Sequence, residues 1–349
     1  MATEMPHVMP VSGTWEYDEF GLFHENAAEF GLPFRGPPTV RREFLEVEPD
    51  RRLSALVWGT AAPDLVLLHG GAQNAHTWDT VAMAMDRPLV AIDLPGHGHS
   101  DGPGDRPDGV LSVEGNAGDV AIAMRDLAPR AGAVVGMSLG GLTAIALAAR
   151  APELVRALVL VDITPGVSGE KSMAISDFVR GPATFPSFDE MLAYSIEHNP
   201  TRSISSLRRG ILHNAIELYD GSWVWRYRRH GERGIVDGPA APFDRFGELW
   251  EVLGAVTVPV LLVRGMRPQS VVDDDDEAEL LRRLPSAEVA HVEHAGHSVQ
   301  GDTPVELAVL LDHFLQRARR GERERRYSAQ IGGGAEGGGS ALEASRRSV

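Results

Sequence analysis

Gly136-Met137-Ser138-Leu139-Gly140 directly follows the apolar run Ala133-Val134-Val135 and directly precedes the helix-like stretch Leu142 to Ala149. The order of buried strand, glycine-flanked serine and helix reads as a nucleophile elbow. A serine hydroxyl must stand clear at the top of a sheet to attack a carbonyl, so the chain has to turn sharply from strand to helix at Ser138. Glycines two residues to either side leave room for that turn, and the following helix N-terminus aims backbone N–H groups at a developing oxyanion.

Other motifs follow in a fixed order. Leu65-Val66-Leu67-Leu68 is a buried-strand run ending in His69-Gly70-Gly71, and Leu89-Val90-Ala91-Ile92 is another, ending in Asp93-Leu94-Pro95-Gly96-His97-Gly98-His99-Ser100. Near the C-terminus, Glu288 to Val292 leads into Ala295-Gly296-His297, with Pro304 beyond. Together these four motifs resemble those of the α/β-hydrolases, over roughly residues 40 to 318. The resemblance implies an α/β fold with a mostly parallel central sheet flanked by helices and a helical cap insertion. It also implies that Ser138 is the nucleophile and His297 the general base, and that the N–H groups of Gly71 and Leu139 form the oxyanion hole.

Composition agrees. An apolar fraction of 43% in 349 residues suffices for a sizeable core. A formal net charge of −16 disfavours nucleic acid or an anionic membrane surface as partner. Without cysteine there is no disulfide framework, thiolate nucleophile or cysteine-ligated metal. The N-terminal MATEMPHVMP has neither a basic nor an apolar signal region, so a cytoplasmic enzyme acting on a small molecule is expected, its oligomeric state left open. Residues 131 to 149 carry no charge and approach the length of a membrane span, but their glycines and the elbow favour a buried strand followed by a buried helix.

The chain divides by pattern into four parts. Residues 1–38, punctuated by prolines and without sustained periodicity, are expected to be an irregular extension. Residues 39–163 and 251–318 alternate strand-like and helix-like runs, as right-handed βαβ crossovers require, and form the core. Residues 164–250 lose that rhythm, are rich in aromatics and arginine, and read as an interrupted helical cap whose inner face shapes the substrate pocket. Residues 319–349 read as a disordered low-complexity tail.

The acid partner of His297 is where the chain departs from the family pattern. Relatives usually carry it a few residues past the glycine that ends the penultimate strand, but after Gly265 this chain reads Met266-Arg267-Pro268-Gln269-Ser270, with no carboxylate. Asp162, at the end of the strand after the nucleophile helix, is the favoured acid and Asp273 the alternative. Asp162 also has a structural reading as an anchor of the cap hinge.

Other candidates have plain structural readings. His69 is expected to brace the oxyanion loop, and His97 and His99 to belong to a loop of the fold rather than a metal pair. Asp273 to Asp276 suit a solvated helix N-terminus. Trp223, Trp225 and Tyr227 either line the pocket or pack inside the cap. Arg202, Arg208, Arg209, Arg226, Arg228 and Arg229 either attract an acidic substrate or are surface charge.

The expectation is a serine hydrolase needing neither cofactor nor metal, acting on carboxylic esters through an acyl-enzyme. A carbon–carbon bond hydrolase, an acyltransferase, a cofactor-free dioxygenase or a non-catalytic binding homologue are the alternatives.

Overall fold

The computed structural model describes residues 17–103, 112–228 and 243–334. In chain order they form α1 (Phe23–Phe30), β1 (Val40–Glu48), β2 (Arg51–Trp58), β3 (Leu65–Leu68), α2 (Asp79–Met85), β4 (Leu89–Ile92), α3 (Val113–Leu127), β5 (Ala133–Met137), α4 (Leu139–Arg150) and β6 (Leu158–Val161). Then come α5 (Met173–Arg180), β7 (Thr184–Phe185), α6 (Phe188–His198), α7 (Ile204–Asn214), β8 (Ala215–Glu217) and β9 (Trp223–Trp225). The chain closes with α8 (Leu249–Gly254), β10 (Val260–Gly265), α9 (Asp274–Arg283), β11 (Glu288–Val292), α10 (Val299–Asp302) and α11 (Pro304–Gly334).

The main sheet has eight strands in the order β1-β2-β4-β3-β5-β6-β10-β11. Only the pairings of β1 with β2 and β2 with β4 are antiparallel. The rest are parallel, as strands linked by helical crossovers must be. Strands β3 to β6 are buried along their whole length, which is why they are continuous apolar runs rather than alternating ones.

Alternate residues of these runs serve different cores. Val66, Leu68, Val134, Leu158 and Leu160 pack on one face with Val120 and Ile145 of α3 and α4. Leu65, Leu67, Val135, Val159 and Val161 pack on the other with Trp78, Leu311 and Phe314.

From β3 the chain moves one way to β4, and from β5 the other way through β6 and β10 to β11. The strand order therefore reverses at β3 and β5, and the crevice beyond their carboxyl ends is where an open α/β sheet binds ligands. His69 and Ser138 follow those two ends. Residues 131 to 149 are the strand β5 and the helix α4, and among the described residues no helix is long and apolar enough to cross a membrane.

Three segments differ from the sequence reading. The stretch expected to be an irregular extension contains α1, with Phe23 and Ala27 buried and the helix stopped by Gly31 at φ 65°. Gly31 followed by Pro33 is a helix-stop signature, overlooked because eight residues are too few to show periodicity. The segment before α1 is tied down by Glu19, which accepts from Arg42 Nε at 2.7 Å and lies 3.1 Å from His76 Nε2.

Residues 164–250 are not helices alone, since β7, β9 and β8 form a three-stranded antiparallel sheet. Strands of two and three residues are too short to show alternation. The expected tail is helical as far as Gly334, and residues 335–349 lie outside the described residues. Arg and Glu fill most of residues 319–326 and are strong helix formers, so low complexity there does not oppose a helix.

Candidate active site

Ser138 sits between β5 and α4 with φ 51° and ψ −120°, in the left-handed half of backbone space that side chains rarely enter. The flanking glycines make the turn possible. A Cβ on Gly136 would stand 2.3 Å from the Gly140 carbonyl oxygen, and one on Gly140 would stand 2.3 Å from that of Leu68. Neither backbone atom can give way. The helix is thereby pressed against the end of β3, which brings the Gly70-Gly71 turn beside Ser138.

The turn at Gly70-Gly71-Ala72 is braced by two buried histidines. His69 Nε2 accepts from the Leu94 N–H at 2.9 Å, with Nδ1 2.7 Å from the Gly70 carbonyl. His97 Nε2 accepts from the Ala72 N–H at 3.0 Å, with Nδ1 3.0 Å from the Pro95 carbonyl. Each ring spends both nitrogens on backbone, which leaves none for a metal. His99 is held below the usual imidazole range, to about 3, by burial and then by the charges of Arg42 and Arg226.

Asp162 ends β6 with φ 47°, and its fully buried carboxylate is saturated with donors. Oδ1 accepts from the Gly265 N–H at 2.9 Å and the Ser270 hydroxyl at 2.6 Å. Oδ2 accepts from the Val271 N–H at 3.0 Å and lies 2.9 Å from Nδ1 of His297. The last residue of β10 and the loop after it thus supply three donors, one from Gly265 and two from Ser270 and Val271, to a carboxylate that follows the neighbouring strand. The turn carrying His297 is fixed by the Gly296 N–H, which donates to Asp302 Oδ2 at 2.8 Å.

Asp273 lies elsewhere. It N-caps α9 in a reciprocal capping box with Asp276 and forms an ion pair with Lys171 at 2.7 Å. The charge of Lys171 and these hydrogen bonds outweigh a burial cost and hold it below the usual carboxylate range.

Ser138, Gly71, Leu139 and His297 line one cavity of about 220 Å³. Ile163, Val167, Ile175, Phe178, Val179 and Phe246 make its wall largely apolar. Leu139 is the first residue of α4, where a backbone N–H has no partner within the helix.

The α/β-hydrolase fold model matches residues 63–304. The chain belongs to the α/β-hydrolase family. It is 45% identical over 307 residues to the esterase Rv0045c of Mycobacterium tuberculosis, covering 85% of this chain and 96% of that one. A solved structure of the M. tuberculosis esterase superposes with a TM-score of 0.72 at 43% identity, covering 86% of this chain and 99% of the other. The pimeloyl-[acyl-carrier protein] methyl ester esterase of Nitrosomonas europaea is 32% identical over 246 residues, 68% of this chain and 89% of that enzyme. This α/β-hydrolase is a hydrolase in activity as well as in fold.

Within the hydrolase the remaining candidates fall into place. Asp273 to Asp276 open α9 and complement its dipole. Trp225 is buried with Phe185, Met191 and Tyr227 and lines an adjoining cavity, not the one that holds Ser138. Trp223 packs against Phe188 at 5.1 Å, so both tryptophans are packing residues of the small sheet. Arg208 and Arg209 pair with Glu25 and Glu29 of α1, and Arg229 lies outside the described residues.

Sequence reasoning missed Ser270 as a partner of Asp162. The absence of a carboxylate in its loop drew attention away from the donors that the loop does contain.

Among the described residues, the only group of three close metal-type side chains is His76, Asp79 and His213. The two imidazoles stack face to face, 3.8 Å apart and 10° from parallel. An ion bound to both would have to lie in two parallel planes at once, so this arrangement does not suit a shared metal. His76 instead lies 2.8 Å from Asp79 and 3.1 Å from Glu19.

Proposed function

We propose that this hydrolase cleaves carboxylic esters through an acyl-enzyme on Ser138, with His297 as general base and Asp162 as its acid partner. The observation that carries the reading is the 2.9 Å contact between His297 Nδ1 and Asp162 Oδ2, on the wall of the cavity that also contains Ser138. A carboxylate on Nδ1 fixes the tautomer that leaves Nε2 free to accept a proton, and it stabilises the imidazolium formed during attack.

In the first step Ser138 Oγ adds to the ester carbonyl while His297 Nε2 takes the hydroxyl proton. The carbonyl oxygen becomes an oxyanion, which the N–H groups of Gly71 and Leu139 stabilise. The tetrahedral intermediate collapses by breaking the carbon–oxygen bond to the alcohol, which leaves with the proton from His297. Water then repeats the sequence on the acyl-enzyme, releasing the acid and regenerating Ser138. The esterase activities of the M. tuberculosis and N. europaea relatives support ester as the substrate class.

Labelling with a fluorophosphonate tests the reading. Ser138 is expected to carry the adduct, and Ser138→Ala is expected to abolish labelling and to lower ester turnover by roughly 10⁴- to 10⁶-fold with the melting temperature nearly unchanged. Retained turnover in Ser138→Ala would overturn the acyl-enzyme.

A further inference from the structure

Arg202, in the turn between α6 and α7, lines the apolar cavity of Ser138 and also an adjoining cavity of about 160 Å³. Its Nε is buried without a hydrogen-bond partner, and Nη2 donates to the Ser206 hydroxyl. No carboxylate of the described residues comes within ion-pair distance. The nearest acidic groups are already engaged: Asp302 accepts from Thr201 and from the Gly296 N–H, and Glu29 accepts from Ser203 and Arg209. Burial holds the guanidinium below its usual pKa, against the pull of Asp302 and Glu29.

The side chain packs on the backbone near His297. A Cβ on Gly301 would stand 2.1 Å from Arg202 Nη1, so the guanidinium lies close against the backbone of α10 four residues after His297. The surroundings are polar, with Gln73, Asn199 and Ser298 shared between the two cavities. In the adjoining cavity, Asp79 Oδ1 and Gln300 Oε1 are buried acceptors without partners.

A partly buried guanidinium with no carboxylate partner is costly, and its cost falls when a ligand supplies the missing anion. The other arginines of this region in contact with α1 have that anion already, whereas Arg202 is turned to the wall of the catalytic cavity.

Resting on the ester-hydrolase reading, we infer that Arg202 is a specificity-determining residue that binds a carboxylate on the ester substrate, so that the enzyme prefers esters with a negative charge beside the scissile bond's apolar portion. Long-range attraction does not supply the preference, because the chain's formal charge is −16. The guanidinium, which lines the cavity of Ser138 and keeps an unpartnered Nε, supplies it locally.

Two matched ester pairs test the inference, with products followed by chromatography. Monomethyl glutarate is compared with methyl butyrate for charge on the acyl side, and carboxymethyl butyrate with ethyl butyrate for charge on the alcohol side. In at least one pair the ratio of kcat/KM for the charged ester to that for the neutral one is expected to fall about 10- to 100-fold in Arg202→Met and to recover in part in Arg202→Lys. A measurement on the wild type alone guards against misfolding of a variant: glutarate should compete with substrate more strongly than its neutral diamide.

Ratios that are the same in wild type and Arg202→Met for both pairs, or equal inhibition by glutarate and the diamide, would overturn the role of Arg202 and leave ester hydrolysis standing. Absence of turnover on all four esters, together with absence of fluorophosphonate labelling, would overturn the ester-hydrolase reading and this inference with it.

Discussion

Ser270 donates its hydroxyl to Asp162 Oδ1 at 2.6 Å, from the loop in which the acid itself was sought. The loop contributes the Val271 N–H as well, and β10 contributes that of Gly265, so Ser270 is one of several donors that orient a single carboxylate. It does not line the cavity of Ser138, so under the proposed mechanism it acts through Asp162. Ser270→Ala is expected to lower kcat about tenfold with KM nearly unchanged, since a hydrogen bond to a charged group is lost without emptying the site. Restoration by Ser270→Thr would tie the effect to the hydroxyl, whereas a drop in melting temperature at constant kcat would mean that Ser270 only holds the loop.

The choice between the two carboxylates is open to a direct comparison. Asp162→Asn keeps the side-chain shape but loses the charge facing His297, and turnover should fall by about 10⁴-fold. Asp273→Asn keeps a good helix cap, because asparagine serves there as well as aspartate. Its turnover should stay within twofold of wild type, and steady-state rates of the purified variants at one pH decide the matter.

Phe178, rather than either tryptophan, is expected to set acyl selectivity. Phe178 lines the cavity of Ser138 while its ring packs against Tyr194 at 5.4 Å. Phe178→Ala is expected to move the optimum among p-nitrophenyl esters toward longer chains, changing relative kcat/KM about tenfold. Trp225→Ala empties a packed position instead and should cost about 3–5 kcal/mol of stability with an unaltered chain-length profile.

His76 predicts an alkaline limit to stability. Burial opposes its charge, but the charge of Asp79 and the hydrogen bonds to Asp79 and Glu19 outweigh this and raise it from 6.5 to about 9. A raised pKa in the folded state contributes stability that is complete below pH 6.5 and is lost as pH climbs through 9. Glu19 is the opposite case: His76 and Arg42 overcome its burial and lower it from 4.5 to about 2, so its contribution is present above pH 4.5 and is lost toward pH 2. The melting temperature of the wild type relative to His76→Gln should therefore be highest near pH 5 to 6 and converge on it above pH 9. A difference that persists unchanged at pH 10 would rule out a charge origin.

Much of this was legible in the sequence, and the reason differs from element to element. The ranges of β3 and β4 are legible to the residue, because strands buried along their whole length are continuous apolar runs. The serine and histidine were legible because each follows a strand end, where the fold gathers its chemistry. The partner of His297 was less so. Whether Asp162 or Asp273 reaches it depends on how the loop from Met266 to Val272 folds back, which is a tertiary matter with no periodic trace. The helix α1 and the small sheet of β7, β8 and β9 were hidden for a related reason, since short elements are stabilised by what they pack against and not by their own pattern. The exposed or paired state of each arginine was likewise invisible, because Glu25 and Glu29 lie far from Arg208 and Arg209 along the chain.

The positive φ of Asp162 has an evolutionary consequence. At 47° the backbone there tolerates glycine, asparagine and aspartate far better than any other residue. Of these three, only aspartate ionises, and glutamate, the usual chemical substitute, would bring a less tolerated backbone as well as a longer arm. A lineage that loses this carboxylate therefore has neutral neighbours open to it but no conservative replacement at the same position. Under the proposed mechanism its return to activity would require either direct reversion or a new acid at the end of another strand, which would make the site of the acid an inherited commitment of the backbone.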